Sequence, residues 1–175
     1  GARHVVVALD PLLDAAVAAN PPDRCYYCKR VIFAALLAEA RNAGIAALIH
    51  GANADDRHDY RPGQRAADEL GVSAPLDDAG LTKAEIRELS RRRGLPTWDM
   101  PAQACLATRI PFETALDAET LGQIERAEDF LRRRFGLRAL RVRKHGPIAR
   151  LELPPEEWSP LLEPAARAEL LAAFQ

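Results

Sequence analysis

Cysteine is scarce in this sequence: there are three in 175 residues, an odd number. So few cysteines argue against a small secreted domain held together by disulfides. The sequence also lacks a secretory signal pattern and any apolar run close to the roughly 20 residues that cross a bilayer. These absences predict a cytoplasmic protein with reduced thiols and no membrane partner.

A large excess of charge of either sign is missing as well, since 24 lysines and arginines nearly balance 25 aspartates and glutamates. A net charge of −1 gives no overall attraction to nucleic acid, so any anion site has to be a local cluster. With 48% hydrophobic residues the chain can bury a real core. Its length suits one domain, or one domain and a small second one.

The first part of the chain alternates between strand-like and helical patterns. "HVVVAL" (residues 4–9) and "IAALIHGAN" (residues 45–53) are apolar runs typical of strands buried on both faces. A helix is predicted between them, from near Pro22 to Gly44, with Asn20 as its N-cap. This alternation predicts an α/β domain with a parallel sheet.

The same alternation continues in the next 40 residues. Residues 64–70 are predicted to be helical, and "VSAPL" (residues 72–76) is predicted to be a short strand. A further helix should run from Thr82 to Arg93, because Thr82 and Glu85 form a T-x-x-E capping box.

Beyond residue 109 the pattern changes. Asp117 is a good N-cap for a helix over 118–135 that ends at Gly136. "LRALRVRKHGPIARLELP" (residues 137–154) alternates around "HGP" as an antiparallel hairpin does, and a last helix starts near Pro164.

These patterns divide the chain into an incomplete α/β domain over 1–109 and a smaller α+β domain over 110–175. The chain opens inside a strand-like run without an initiator methionine and closes inside the helical pattern "PAARAELLAAFQ". We therefore expect a fragment of a larger protein.

Two of the three cysteines, Cys25 and Cys28, stand at C-x-x-C spacing at the start of a predicted helix, and Cys105 lies far downstream. Thiols three residues apart on a first turn face the same way, and the helix N-terminus favours their thiolate forms. Such a pair suits metal or cluster ligation, a redox pair or a nucleophile, and Cys28 could equally be a core residue. A zinc site would need a fourth ligand such as His58 or His145, and three thiolates could instead hold an iron–sulfur cluster. The spacing leaves these alternatives open.

A carboxylate and two guanidiniums stand out in the second half. Arg141 and Arg143 share one face of a predicted strand, which suits a phosphate or carboxylate, or else a solvated face paired with Glu152 or Glu156. Glu128 interrupts an apolar helix row, where a carboxylate usually has a partner or a function. An ion pair with Arg141 or Arg143 would explain it. The full row is Leu121, Ile124, Glu128, Leu131 and Phe135.

The loop "GANADD" follows a predicted buried strand, at the kind of position where open α/β sheets bind ligands. Asn53, Asp55 and Asp56 could contact a nucleotide or its Mg²⁺, and Asn53 and Asp56 are the candidate nucleotide-binding residues. Loops of asparagine and aspartate are common, so this signal is weak by itself.

Four blocks occur in order along the chain: "NPPDRCYYCK", "GANADDRHDYRPG", "CLATRIPF" and "LRVRKHGPIARLELP". Together they resemble the LarE family of ATP-dependent sulfur transferases, PP-loop pyrophosphatases that serve biosynthesis of the nickel-pincer nucleotide cofactor. The resemblance covers nearly the whole chain. It implies a partial parallel-sheet PP-loop domain, Rossmann-like and similar to the adenine nucleotide alpha hydrolases, followed by a small α+β domain.

The resemblance implies a particular reaction. ATP with Mg²⁺ adenylates a carboxylate of pyridinium-3,5-biscarboxylic acid mononucleotide and releases pyrophosphate, and a sulfur nucleophile then displaces AMP to leave a thiocarboxylate. Cys105, in the block C-x-x-[ST]-R-[IF]-P, is the implied sulfur-handling residue. Family members with this cysteine alone sacrifice its sulfur and retain dehydroalanine. Members that add the C-x-x-C are credited with a 4Fe–4S cluster, so Cys25, Cys28 and Cys105 predict the cluster-bearing kind.

Other residues receive roles from the same resemblance. Thr108 and Arg109 are expected to line the substrate pocket, and Glu128, Arg141 and Arg143 to bind near the substrate phosphate. The expected partners are this mononucleotide, a sulfide source that the sequence does not identify, and further copies of the chain.

One family feature is missing: the PP-loop signature S-G-G-x-D-S, whose backbone amides hold the ATP phosphates, does not occur in the sequence. We therefore expect the 175-residue chain alone neither to hydrolyse ATP nor to bind it tightly.

Three alternatives compete with this interpretation. A PP-loop sulfur transferase acting on tRNA should show a broader basic surface, which the net charge of −1 disfavours. A non-catalytic module could use Arg141 and Arg143 to hold a nucleotide phosphate. A thiol–disulfide oxidoreductase would use Cys25 and Cys28 and leave Cys105 unimportant.

Overall fold

The computed structural model describes residues 4–174, and the chain divides into two compact units, Gly1–Met100 and Pro101–Gln175. The division falls nine residues before the predicted boundary at residue 109. Regular structure in the described residues comprises eight α-helices and one two-stranded sheet. The first unit contains α1 (Ala15–Ala18), α2 (Arg24–Asn42), α3 (Pro62–Glu69), α4 (Pro75–Asp78) and α5 (Lys83–Arg92). The second contains α6 (Ala118–Phe135), β1 (Arg141–His145), β2 (Ile148–Glu152), α7 (Ser159–Leu162) and α8 (Pro164–Ala173).

Short 3-10 helices complete the secondary structure at Pro11–Leu13, Ala54–His58, Leu106–Arg109 and Pro155–Glu157. Within residues 4–174, no helix combines the length and the apolar character that a membrane crossing requires.

The N-cap prediction for α2 is wrong. The helix begins at Arg24 with Asp23 as its N-cap, after a turn that contains the two prolines. Asn20 is instead fully buried with a φ of 56°, in the left-handed region that asparagine tolerates better than most residues. Its side-chain oxygen accepts a hydrogen bond from Arg24 Nη1, so it anchors the helix start from outside the first turn.

The predicted strands of a parallel sheet do not form in the described part of the first unit. Residues 4–9 have no regular structure, and Val6 is 80% exposed. In residues 45–53 the pairing is limited to a single parallel bridge between Ile49 and Ser73. "VSAPL" supplies Ser73 to that bridge and then turns into α4. A strand is stabilised by hydrogen bonds to the backbone of a neighbouring strand, and here only one residue pair makes that contact.

Helices α2 and α3 pack closely and form the centre of the first unit. Phe33, Ala67 and Val72 are buried together between them. Gly63 lies so near α2 that a Cβ at this position would meet Lys29 Cγ at 2.9 Å and the Cys25 carbonyl oxygen at 3.3 Å. The absence of a side chain at residue 63 therefore lets α3 approach the turn that carries Cys25.

The helix ends read from the sequence are confirmed in several places. Thr82 caps α5 in a reciprocal capping box with Glu85, and Asp117 caps α6 through Thr120 N–H at 2.7 Å. Gly136 ends α6 with a φ of 70°, the left-handed conformation that favours glycine at this position.

The second unit is a helix packed on a hairpin. Strands β1 and β2 are antiparallel, with Val142 opposite Leu151, which confirms the predicted hairpin. The core comprises Leu131, Leu137, Leu140, Val142 and Leu161, with further apolar side chains around them. Helix α6 and β1 therefore share one core, and together they support the residues described next.

Candidate functional site

Cys105 sits immediately before the 3-10 helix Leu106–Arg109, and its thiol is free and exposed. Three donors hold its carbonyl oxygen: Thr108 N–H at 2.9 Å, Thr108 Oγ1 at 2.8 Å and Arg109 Nη1 at 3.1 Å. Arg109 Nη1 also donates to the Ala104 carbonyl at 2.8 Å. The backbone at Cys105 is thus fixed while the sulfur remains accessible, as a nucleophile requires.

Arg109 connects this segment to the core through a buried ion pair. Its Nε donates to Glu128 Oε1 at 2.8 Å and its Nη2 to Oε2 at 3.1 Å, a bidentate arrangement. The Arg109 side chain is 4% exposed and that of Glu128 is 1% exposed. The structure therefore assigns Arg109 to holding the Cys105 segment on α6.

Glu128 has two further donors, so both of its oxygens are fully used. Arg132 Nη2 donates to Oε2 at 2.7 Å and Val142 N–H donates to Oε1 at 3.0 Å. The helix row predicted to be buried is confirmed at Ile124 and Leu131, and Glu128 is buried between them. The prediction that Arg141 or Arg143 forms the ion pair with Glu128 is wrong, because the guanidiniums that bind Glu128 belong to Arg109 and Arg132.

Burial raises the pKa of the Glu128 carboxyl, but the hydrogen bonds from Arg109, Val142 N–H and Arg132 outweigh it, and the pKa lies below its ordinary 4.5. A carboxyl whose pKa is lower in the folded state stabilises the fold above its unfolded pKa, and that stabilisation is lost as the pH falls through the folded pKa.

We expect the difference in unfolding free energy between wild type and Glu128→Gln to shrink as the pH is lowered from about 7 to about 3. Glutamine cannot titrate, so the contribution of this carboxylate is missing from the variant at every pH. Urea unfolding of both proteins across this range measures the difference. A difference that stays constant with pH would contradict the assignment.

The two arginines of β1 have different surroundings. Arg143 Nη1 donates to the Thr108 carbonyl at 2.8 Å, and its Nε lies 2.8 Å from Glu152 Oε2. This pair matches the alternative in which the strand face pairs with Glu152. Arg141 is half-buried, and no carboxylate in residues 4–174 forms an ion pair with it. Arg143 thus braces the Cys105 segment, and Arg141 keeps its charge available.

The C-x-x-C pair lies in the first unit, at the start of α2. Neither cysteine forms a disulfide; Cys25 is exposed and Cys28 is half-buried. Within residues 4–174, no group of three histidine, cysteine, aspartate or glutamate side chains is already arranged to hold a metal ion. Two thiols on a first helical turn suit soft-metal or cluster ligation in their donor chemistry. The joint site with Cys105 stays a prediction.

The asparagine and aspartates of the predicted nucleotide loop are used within the first unit. Asn53 and Asp56 form a reciprocal capping box on the 3-10 helix Ala54–His58. Asp56 Oδ1 also lies 2.7 Å from Arg61 Nη2, and Asp55 Oδ2 accepts Lys83 N–H at 2.8 Å. These contacts give the loop a structural role, and nucleotide binding by Asn53 and Asp56 stays a prediction.

Sequence reasoning missed Arg132. It lies four residues after Glu128 on the same helix, a spacing that brings the two side chains together. The i, i+4 spacing is the sequence signal that indicates this ion pair.

Three proteins show clear similarity to the chain. An uncharacterised protein of Synechocystis sp. is 39% identical over 175 residues, which is 100% of this chain and 65% of the relative. Pyridinium-3,5-bisthiocarboxylic acid mononucleotide synthase of Lactiplantibacillus plantarum is 37% identical over 154 residues, 88% of this chain and 55% of that enzyme. An uncharacterised protein of Methanocaldococcus jannaschii is 34% identical over 134 residues, 77% of this chain and 52% of the relative. No protein-family model matches the chain.

These similarities confirm the resemblance to the LarE family of sulfur transferases. The chain spans between half and two thirds of the length of the relatives it matches.

Proposed function

We propose that the chain is the part of an ATP-dependent sulfur transferase that presents the sulfur-handling cysteine and holds the substrate. The substrate would be pyridinium-3,5-biscarboxylic acid mononucleotide, and one of its carboxylates would become a thiocarboxylate. The similarity to the L. plantarum synthase supports this reaction, because that enzyme's name specifies the bisthiocarboxylic acid mononucleotide as its product.

The single observation that carries the proposal is the exposed Cys105 thiol on a backbone that Thr108 and Arg109 hold in place. Adenylation joins a carboxylate oxygen of the substrate to the α-phosphorus of ATP and releases pyrophosphate. A sulfur nucleophile then attacks the acyl carbon, the C–O bond to AMP breaks, and AMP leaves with the electron pair. A fixed and accessible thiol is well placed for such an attack, since orientation lowers the entropic cost of the step.

The sulfur would come by one of two routes, both of which use Cys105. In the first, the Cys105 sulfur would form a thioester with the acyl carbon, the Cys105 Cα would lose a proton and the Cβ–S bond would break, which releases the thiocarboxylate and leaves dehydroalanine. In the second, Cys25, Cys28 and Cys105 would hold a 4Fe–4S cluster, which when bound would supply an open iron position for exogenous sulfide. Three cysteines outside any disulfide match that donor set in their chemistry.

In the proposed reaction, ATP with Mg²⁺ activates the substrate carboxylate by adenylation. We propose that the 175 residues by themselves do not release pyrophosphate, because S-G-G-x-D-S does not occur among them. A homo-oligomer is proposed on the resemblance alone.

The proposal is tested by incubating the full-length protein that contains this chain with ATP, Mg²⁺, sulfide and the dicarboxylate mononucleotide. We expect equal amounts of AMP and pyrophosphate, and a product whose mass has increased by the replacement of oxygen with sulfur. AMP formation with an unchanged mononucleotide mass would contradict sulfur transfer. Omitting the mononucleotide is the control for idle ATP hydrolysis.

A further inference from the structure

Helix α3 lies against the part of α2 that carries the C-x-x-C pair. Near the start of α3, a Cβ on Gly63 would meet Lys29 Cγ at 2.9 Å and the Cys25 carbonyl oxygen at 3.3 Å. Gly63 does not have the left-handed φ of a turn glycine, so its missing side chain serves the close approach of the two helices. Lys29 directly follows Cys28 in the chain, so this contact brackets both cysteines.

The other end of α3 holds the residue between the two cysteines. Tyr26 is 8% exposed, and its hydroxyl donates a hydrogen bond to Glu69 Oε2 at 2.8 Å. The guanidinium carbon of Arg65 lies 3.6 Å from the centre of the Tyr26 ring, close enough for a cation–π contact. Helix α3 therefore holds the turn that carries the thiols at two points, one near each of its own ends.

The contacts of α3 with this turn differ in weight. Arg65 Nε lies 3.7 Å from Glu69 Oε1, but both side chains are about half exposed, and a surface ion pair of this kind contributes little. The Tyr26 hydroxyl belongs to a buried side chain, where a donor without a partner is costly. The Tyr26–Glu69 hydrogen bond and the close approach at Gly63 are therefore the contacts that decide how the turn is placed.

The placement of Tyr26 also determines where the thiols point. Successive residues lie about 100° apart around a helix, so fixing Tyr26 fixes the rotation of the first turn and with it the directions of Cys25 and Cys28. Residues at this spacing lie on the same side of a helix. Ligands that are oriented before a metal ion arrives lose less conformational entropy on binding, and the groups behind them commonly tune the affinity.

We propose that Tyr26 and Gly63 are positioning residues for the C-x-x-C pair. Through Glu69 and the close approach of α3, they set the orientation in which Cys25 and Cys28 bind a thiophilic metal. The inference rests on the proposed function for the use of these thiols as ligands. For the positioning it rests on the contacts between α2 and α3.

Cobalt(II) binding to the full-length protein that contains this chain tests the positioning without ATP, sulfide or the mononucleotide. Cobalt bound by thiolates has charge-transfer absorption bands, and an anaerobic titration against a competing chelator gives both the spectrum and the affinity. We expect these bands in the wild type and their loss in the Cys25→Ser/Cys28→Ser double variant. A wild type without thiolate-bound cobalt would overturn the inference.

Two substitutions of Glu69 separate the hydrogen bond from the ion pair. Glu69→Ala removes the acceptor of the Tyr26 hydroxyl, and we expect cobalt affinity to fall about tenfold, the lower end of the loss seen when a partner behind a metal ligand is removed. Glu69→Gln keeps an acceptor oxygen and removes only the exposed ion pair, so its affinity should match that of the wild type. Tyr26→Phe lacks the donor and should behave as Glu69→Ala does.

The close approach is tested with a matched pair of glycines. Gly63→Ala places a methyl group against Lys29 and the Cys25 carbonyl, and we expect cobalt affinity to fall about tenfold. Gly51→Ala is the control, because a Cβ on Gly51 meets nothing within 4 Å and Gly51 has no left-handed φ.

Thermal unfolding of each variant distinguishes positioning from stabilisation. If α3 only stabilises the fold, Gly63→Ala and Glu69→Ala lower the Tm but leave the cobalt affinity and spectrum unchanged, which would contradict the inference. Tyr26→Phe removes a single oxygen, so it keeps the test decisive even where Gly63→Ala unfolds.

The thiocarboxylate assay separates this inference from the proposed function. An enzyme that transfers sulfur while Tyr26→Phe and Glu69→Ala retain full cobalt affinity overturns the inference alone. Cobalt affinities that fall as expected, in a protein that makes no thiocarboxylate, support the positioning and remove the proposed function.

Discussion

Replacing Glu128 with alanine should lower the free energy of unfolding by about 3–5 kcal/mol, the range measured when one partner of a buried ion pair is removed. The Glu128 carboxylate accepts hydrogen bonds from Arg109, Arg132 and Val142 N–H. Without it, the Arg109 guanidinium stays buried with its charge unpaired, and the Val142 N–H loses its partner. Both groups are buried, so water cannot hydrogen-bond to them in place of the carboxylate, and each loss therefore carries a desolvation penalty.

Glu125→Ala is the matched control, because Glu125 lies on the same helix one turn earlier and is exposed. Both substitutions remove the same atoms and the same charge from α6, so helix propensity cancels between them. Urea unfolding, followed by circular dichroism, gives both free energies. If the two variants differ by less than about 1 kcal/mol, Glu128 is not the central contact of this unit.

Replacing Cys105 with serine should lower thiocarboxylate formation by on the order of 10³-fold or more, the scale expected when a nucleophile is removed. Pyrophosphate release should persist in the full-length protein, since adenylation does not need the thiol. The substitution is close to isosteric, and Cys105 is exposed, so the fold should be unaffected. Separate assays for pyrophosphate and for the thiocarboxylate measure the two half-reactions.

Cys25→Ser and Cys28→Ser then distinguish the two sulfur routes. Loss of multiple turnovers in all three variants would indicate a joint three-thiolate site. Full activity without Cys25 and Cys28, with one product per protein and a mass loss at Cys105, would indicate sacrifice of the Cys105 sulfur. Unchanged product formation in Cys105→Ser would remove the proposed role of this residue altogether.

Local signals predicted the elements of the second unit well. Asp117, Gly136 and the hairpin pattern each act through neighbours in the chain, so their effect is readable from a few residues. The same holds for Thr82 and Glu85 in the first unit.

Long-range pairing was predicted less well, for a physical reason. The apolar runs at 4–9 and 45–53 have strand-like composition, but a strand forms only where another backbone offers partners, and composition does not say whether one does. Similarly, the buried position of Glu128 followed from its helix row, whereas its partner Arg109 lies 19 residues earlier on a separate element. The sequence contains many arginines, and only the packing of the 3-10 helix Leu106–Arg109 against α6 shows which of them pairs with Glu128.

The contacts that hold the Cys105 segment have a practical consequence. Arg109 and Thr108 bind the carbonyl oxygens of residues 104 and 105, which every amino acid possesses, and none of these contacts uses the cysteine side chain. The backbone at residue 105 is therefore held in the same way whatever side chain the residue carries. Selenocysteine, or another reactive side chain of similar size, could be installed there without rebuilding its surroundings.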